Sequence, residues 1–186
     1  MSSRDHHVFS VEKARHLIRP LRYLFHNPKS ILKPYVKYGM TVVELGCGPG
    51  FFTPVAARLV GETGKVIAVD IQQGMLDLLK ERIQGAKIEK RIVLHKCEES
   101  RINTSEKADL LFAFHVVHEL PDHDSFFKEA RHILKTGGML FISEPKNHVG
   151  EKDFSDMIDI AGKYGFVAAK SPRILFDRSI VLRKQA

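Results

Sequence analysis

Apolar residues recur along this chain with two alternating periods, and the alternation predicts strands and helices by turns. Compact apolar runs at Thr41–Leu45, Lys65–Asp70, Ile92–His95, Ala108–Phe114 and Met139–Ser143 read as buried strands. Spacings of three and four between them mark helices over Phe51–Val60 and over Gly74–Ile83, the latter with Met75, Leu78, Leu79 and Ile83 inward. A third helix, capped by Asp124, carries Phe127, Ala130, Ile133 and Leu134, and Lys135–Gly138 reads as a turn. A fourth covers Asp153–Tyr164 and stops at Gly165. Two short strands follow, near Phe166–Lys170 and Ser179–Arg183, joined by a link containing Pro172 that suits an antiparallel hairpin at a sheet edge. Strands alternating with helices imply an α/β fold, a doubly wound and mostly parallel sheet with right-handed crossovers.

Ahead of these strands, residues 9–26 place Val11, Ala14, Leu17, Ile18, Leu21, Leu24 and Phe25 at helical spacing, with Pro20 predicting a break or kink. Asn27-Pro28 is an N-cap followed by proline, opening a short helix with Ile31, Leu32, Tyr35 and Val36 inward. The expected organisation is a helical lid segment over 1–38 and a cofactor-binding domain over 39–186. At 186 residues, 44% hydrophobic and 27% charged, the chain has the size and balance of one soluble globular domain. No apolar run approaches the roughly 18 residues of a membrane span, and the N-terminus lacks a signal-peptide core. Two cysteines, Cys47 and Cys97, are too few for a disulfide framework, so free thiols and a cytoplasmic location are expected. The net charge of +7 is concentrated at both ends, with eight Lys/Arg against two acids in 1–40 and six against one in 163–186. Basic ends permit a nucleic-acid or acidic partner, but no basic block interleaved with aromatics favours one.

The chemistry is carried by Val42-Val43-Glu44-Leu45-Gly46-Cys47-Gly48-Pro49-Gly50, a strand running into glycines on alternate positions. Glycines there let backbone amides approach a ligand closely, and the following helix N-terminus favours a negative group. The dinucleotide fingerprint requires a third glycine at position 51, where Phe51 stands, and no Gly-Lys follows as a phosphate loop would require. The pattern E-x-G-x-G-x-G resembles motif I of the class I S-adenosylmethionine-dependent methyltransferases. Lys65–Asp70 resembles that family's second motif. Ala108–Pro121 is similar to its strand-four motif and loop, and Leu134-Lys135-Thr136-Gly137-Gly138-Met139-Leu140 to its strand-five motif, with Thr136 in place of proline. The resemblance runs from about Val42 onward and is nearest the small-molecule ubiquinone/menaquinone-type branch. It implies a seven-stranded sheet of order 3-2-1-4-5-7-6 with strand seven antiparallel, and S-adenosyl-L-methionine as cofactor.

Asp70 ends an apolar strand, where a buried acid needs hydrogen-bond partners, and ribose hydroxyls are the partners such sheets supply. Carried over by resemblance, Gly46, Gly48 and Gly50 pass under the methionine part of the cofactor, and Glu44 reaches its ammonium. Ile71 lies on an adenine face, Cys97 and Glu98 stand at the adenine rim, and Phe114 or His115 closes the side near the methyl group. His115 and His118 are candidate general bases, since a neutral imidazole at a cleft mouth can take a proton from an attacking oxygen or nitrogen. The order H-x-x-H-E matches neither zincin motif, so no metal is expected of this pair.

The implied reaction is in-line displacement at the sulfonium methyl, which asks the protein mainly to align the acceptor and exclude water. Strand four lacks the [DN]-P-P-[YFW] signature of amide or adenine nitrogen methylation, and no Pro-Cys nucleophile follows it. The link Pro145–Lys152 is short, so the segment 1–38 is left to roof the pocket over a small-molecule acceptor. Rival readings are an RNA- or protein-modifying methyltransferase docking through its basic N-terminal region, a cofactor-binding module without turnover, and a nicotinamide-dependent dehydrogenase.

Overall fold

The computed structural model describes residues 20–99 and 101–186; most of the helical pattern in 9–26, and half of the 1–38 segment, lie outside the described residues. Six helices are described: α1 (Pro20–Phe25), α2 (Pro28–Leu32), α3 (Thr53–Val60), α4 (Gln73–Ile83), α5 (His123–Ile133) and α6 (Glu151–Lys163). The strands are β1 (Thr41–Leu45), β2 (Lys65–Asp70), β3 (Ile92–Lys96), β4 (Ala108–Phe114), β5 (Leu134–Pro145), β6 (Phe166–Lys170) and β7 (Asp177–Lys184). They form one sheet of order β3-β2-β1-β4-β5-β7-β6. Strands β1 to β5 pair in parallel, whereas β7 runs antiparallel to both β5 and β6. The order and the reversed strand are those implied by the resemblance.

Both faces of the sheet are covered because successive side chains of its central strands alternate between two apolar cores. Val43, Leu45, Ile67 and Val69 pack with Phe127, Ala130, Ile133, Met157 and Ala161 of α5 and α6. Val42, Val66, Ala68 and Phe112 pack on the other face with Leu32, Ala56, Val60, Leu76 and Leu79 of α2, α3 and α4. The chain moves outward from β1 through β2 to β3, then returns to add β4 on the other side of β1. A crevice opens beyond the carboxyl ends of the strands at that reversal, the place where open α/β sheets bind ligands.

Several boundaries differ from those predicted. The α3 helix begins at Thr53 because Phe51 and Phe52 are instead buried in the loop, edge to face with each other at 5.0 Å. Leu76, not Leu78, completes the buried face of α4. Asp122 rather than Asp124 caps α5, its carboxylate accepting from the Asp124 amide at 2.9 Å, while Asp124 accepts from the Tyr164 hydroxyl at 2.9 Å. The turn expected at Lys135–Gly138 is absorbed into β5, where Leu134 pairs with Ala108 ahead of a register shift. The last helix starts two residues early, at Glu151, and β7 extends to Asp177 at its start, which proves important for the site.

Gly64 sets the spacing of the β1–α3–β2 unit. A Cβ there would stand 2.7 Å from the carbonyl oxygens of both Met40 and Val60. Both oxygens are fixed, accepting from the Lys65 amide at 3.1 Å and the Gly39 amide at 2.8 Å. Gly64→Ala is therefore expected to destabilise the fold by about 1–3 kcal/mol, the usual cost of overpacking. A lowered urea midpoint checks this; an unchanged midpoint would mean the two carbonyls yield freely.

Candidate active site

The loop after β1 is held in a conformation that side chains resist. Gly46, Gly48 and Gly50 all have positive φ, at 67°, 52° and 83°. Added Cβ atoms would come within 2.8 Å of Val116 at Gly46 and 2.4 Å of Leu79 at Gly50. The loop is tied to β2 by two bonds, Cys47 N–H to the Val69 carbonyl at 2.9 Å and Gly48 N–H to the Asp70 carboxylate at 2.9 Å. Asp70 also accepts from the Gln72 amide at 2.9 Å. Its burial pushes the carboxyl pKa up, and the amides that donate to it hold that rise back.

Glu44, at the end of β1, is 3% exposed, and its Oε2 is buried without a hydrogen-bond partner among the described residues. Burial pushes its pKa up to about 8; the nearby Thr53 hydroxyl and the Arg22 guanidinium offset part of the rise, and Asp70 adds to it. Arg22 comes from α1 and lies over the Phe51 ring at 4.3 Å. Its own pKa is lowered to about 10 by burial, against the pull of Asp177, Tyr23 and Glu44.

Across the crevice, the ends of β4, β5 and β7 present two histidine–carboxylate pairs. Glu144 is fully buried and accepts from Val117 N–H at 2.8 Å and from His118 Nδ1 through a short bond. Burial lowers the His118 pKa, but the hydrogen bond and charge of Glu144 outweigh it and hold it above the ordinary imidazole value. The remaining ring nitrogen of His118 lies 3.4 Å from His148 Nδ1. His115, with φ of 60°, occupies the left-handed region that a β4 residue enters only under local constraint, and its amide donates to the Ser143 carbonyl at 2.8 Å. Its Nε2 lies 2.9 Å from Asp177 Oδ2, and His26 Nε2 approaches the same oxygen at 3.3 Å. Burial lowers the His115 pKa despite the raising effect of Asp177. Burial alone would raise the Asp177 pKa, but His115 and His26 beside it hold it well below the usual carboxylate range.

The crevice holds a cavity of about 300 Å3, within the range of small-molecule sites. Glu44, Gly46, Gly48, Asp70, Ile71, Cys97, Glu98, Phe114, His115 and His118 all contribute to its wall. Gly50 does not, and acts instead at the contact between the loop and α4. Cys97 is a neutral thiol in this wall, its pKa pushed up to about 11 by burial. His115 and His118, three apart in sequence, are directed to different carboxylates and share no ligand point. Arg22, Glu144 and His148 also border the site or support it, with Asp177 and His26 behind His115, and none of the five was selected from sequence. Glu144 carried a usable signal, an acid closing an apolar strand, which is the criterion that selected Asp70. Arg22 lies on α1 and His26 just after it, its amide donating to the Arg22 carbonyl at 2.8 Å, but only the tertiary fold brings Arg22 to the crevice.

Comparison with known proteins agrees with this geometry. A family model described as "Methyltransferase domain" matches residues 36–168. The chain is 33% identical over 125 residues to the demethylmenaquinone methyltransferase of Lactobacillus johnsonii, covering 65% of this chain and 51% of that protein. It is 29% identical over 113 residues to the ubiquinone/menaquinone biosynthesis C-methyltransferase of Escherichia coli, covering 59% and 44%. The chain thus spans about half the length of the curated relatives it matches. Among solved structures, a SAM-dependent methyltransferase from Aquifex aeolicus superposes with a TM-score of 0.85 at 25% identity, covering 95% of this chain and 99% of that one.

The raised pKa of Glu44 has a stability consequence. An acid whose folded pKa exceeds its unfolded value binds a proton more tightly when folded, so it costs stability as pH rises from about 4.5 to about 8. Glu44→Gln is expected to raise unfolding stability by about 2–4 kcal/mol at pH 8 and little at pH 4.5. Urea denaturation at the two pH values checks it, and a pH-independent difference would contradict it.

Proposed function

Because this chain belongs to the methyltransferase-domain family, among the class I S-adenosylmethionine-dependent enzymes near the ubiquinone branch, we propose that it methylates a small-molecule acceptor with His118 as general base. The observation that carries the reading is that His118, oriented by a buried carboxylate, lines the same cavity as the glycine loop. When bound, S-adenosylmethionine supplies a methyl group activated on a sulfonium. The residues present fit that group, since the unpartnered Glu44 Oε2 is a buried acceptor suited to an ammonium. Gly46 and Gly48 would pass beneath the methionine part, and Gly50 would fix the loop against α4. Asp70 would accept from the ribose hydroxyls while keeping its amide donors. Ile71, Cys97 and Glu98 would border the adenine, and Phe114 with His115 would close the methyl side.

On the acceptor side, Glu144 accepts a hydrogen bond from His118 Nδ1–H, which fixes the tautomer and leaves Nε2 to remove a proton from the acceptor. A buried carboxylate behind the ring also stabilises the imidazolium that forms. The cavity wall is otherwise largely apolar, with Phe52, Phe112, Phe114, Leu120 and Pro121 excluding water and orienting a small, partly apolar acceptor. Arg22 brings α1 to the cavity, and the described part of the expected lid segment, residues 20–38, would roof it. No helix among the described residues is long and apolar enough to cross a membrane.

Labelled methyl donor offered to a panel of phenols, quinols, small carboxylic acids and RNA tests the reading. Transfer to a small molecule is expected; label found only on RNA or protein would overturn it. Asp70→Ala is expected to weaken S-adenosylhomocysteine binding by about 1–3 kcal/mol by calorimetry, the worth of charge-assisted bonds, and unchanged affinity would remove the ribose assignment. The base acts when neutral, so kcat/KM is expected to rise as pH climbs through a His118 pKa above the ordinary 6.5. Glu144→Gln removes the raising charge and should move that limb to lower pH while cutting kcat roughly 10²-fold. A limb that stays in place would exclude His118.

A further inference from the structure

Behind the cavity, three side chains from distant parts of the sequence converge on one point: His26 follows α1, His115 follows β4 and Asp177 begins β7. Their nearest ligand-type atoms all lie within 4.8 Å of one another, and the two imidazole Nε2 atoms stand 2.9 and 3.3 Å from Asp177 Oδ2. The approaches are close enough for ion pairing but lack hydrogen-bond alignment. His26 Nε2, His115 Nε2 and Asp177 Oδ1 are all buried with no hydrogen-bond partner among the described residues. The two nitrogens thus meet only one carboxylate oxygen, as ion-pair approaches, and Asp177 Oδ1 has no partner, although buried polar groups are nearly always satisfied.

We propose that His26, His115 and Asp177 form a binding site for a divalent first-row transition metal, zinc being the representative ion. Two imidazole nitrogens and one carboxylate oxygen are the donor set of catalytic zinc sites and of open two-histidine, one-carboxylate centres. Bonds of about 2.0–2.2 Å around a tetrahedral ion separate the ligand atoms by roughly 3.3–3.6 Å, close to the spacing found here. The carboxylate is oriented from behind, as metal-binding carboxylates usually are: Ser143 Oγ donates to Asp177 Oδ2 at 3.0 Å and is itself 2.8 Å from Ser179 Oγ. His115 is held toward the point by its left-handed backbone and by its amide bond to Ser143. The charge of Arg22 also reaches Asp177, so the ion would share this carboxylate's field with a guanidinium.

His115 also lines the cavity, so an ion held here would take its further ligand from the acceptor side. Its ligand class is an anionic oxygen, such as an enolate, phenolate or carboxylate. This last step rests on the small-acceptor reading, whereas the metal site itself does not.

The test uses the full chain without an affinity tag, stripped with chelator and dialysed against zinc alone. One zinc per chain is expected, with His26→Ala and Asp177→Asn each weakening it at least tenfold. Cobalt in place of zinc should give the visible absorption of a low-symmetry site, lost in both variants. His26→Ala removes a side chain just after a short helix, so it serves if Asp177→Asn fails to fold; a cooperative urea transition without metal shows that this variant is folded. No zinc retained by the unmodified chain, or equal retention by the chain and its folded variants, would overturn the proposal. Neither methyl donor nor acceptor enters the assay, so its failure leaves the methyl-transfer reading standing.

Discussion

Four carboxylates, those of Glu44, Asp70, Glu144 and Asp177, are buried at one edge of the sheet, and the rest of the site follows from how each is compensated. An unpaired carboxylate in such surroundings costs several kcal/mol or gives up its charge. Asp70 takes backbone amides and so fixes the glycine loop. Glu144 takes His118 and a backbone amide, which gives that ring its tautomer. Asp177 gathers two imidazoles and a serine hydroxyl. Glu44 and Asp177 each keep one bare oxygen, and of these two only Glu44 has an elevated pKa, so it has much to gain from an incoming cation.

The architecture was legible in the sequence because it depends on local signals. Apolar runs of strand length, helical spacing and paired glycines gave β1, β2, β4 and β6 their observed bounds, since propensity and burial agree there. The errors fall where a neighbour decides the outcome. Asp122 captures the cap of α5 because Asp124 is drawn to Tyr164, a residue 40 positions away. The glycine pair at 137–138 reads as a turn in isolation, yet pairing of Leu134 with Ala108 draws it into the sheet.

The site was legible only on its cofactor side. Glu44, Gly46, Gly48 and Asp70 sit in a short contiguous motif or at a fixed strand end, so their spacing carries the geometry. His26 and Asp177 are 151 positions apart in sequence and meet only through the sheet order. Nothing in the neighbourhood of Asp177, a short loop with one proline, separates it from an ordinary surface acid. The two histidines of the β4 loop, singled out from sequence, both line the cavity, but their division between two acids depends on the reversed backbone at His115.

The placement of β7 has a consequence for how the molecule comes into being. It is the last-made of the seven strands, yet it lies inside the sheet, hydrogen-bonded to β5 on one side and β6 on the other. On a nascent chain, β6 therefore has no partner and His115 has no carboxylate until the final strand leaves the ribosome. The half built from β1 to β4 can assemble during synthesis, whereas the other half must wait until β7 has emerged. A ribosome stalled before residue 177 would hold a half-sheet with one open edge, a ready target for chaperones or for another unfinished copy.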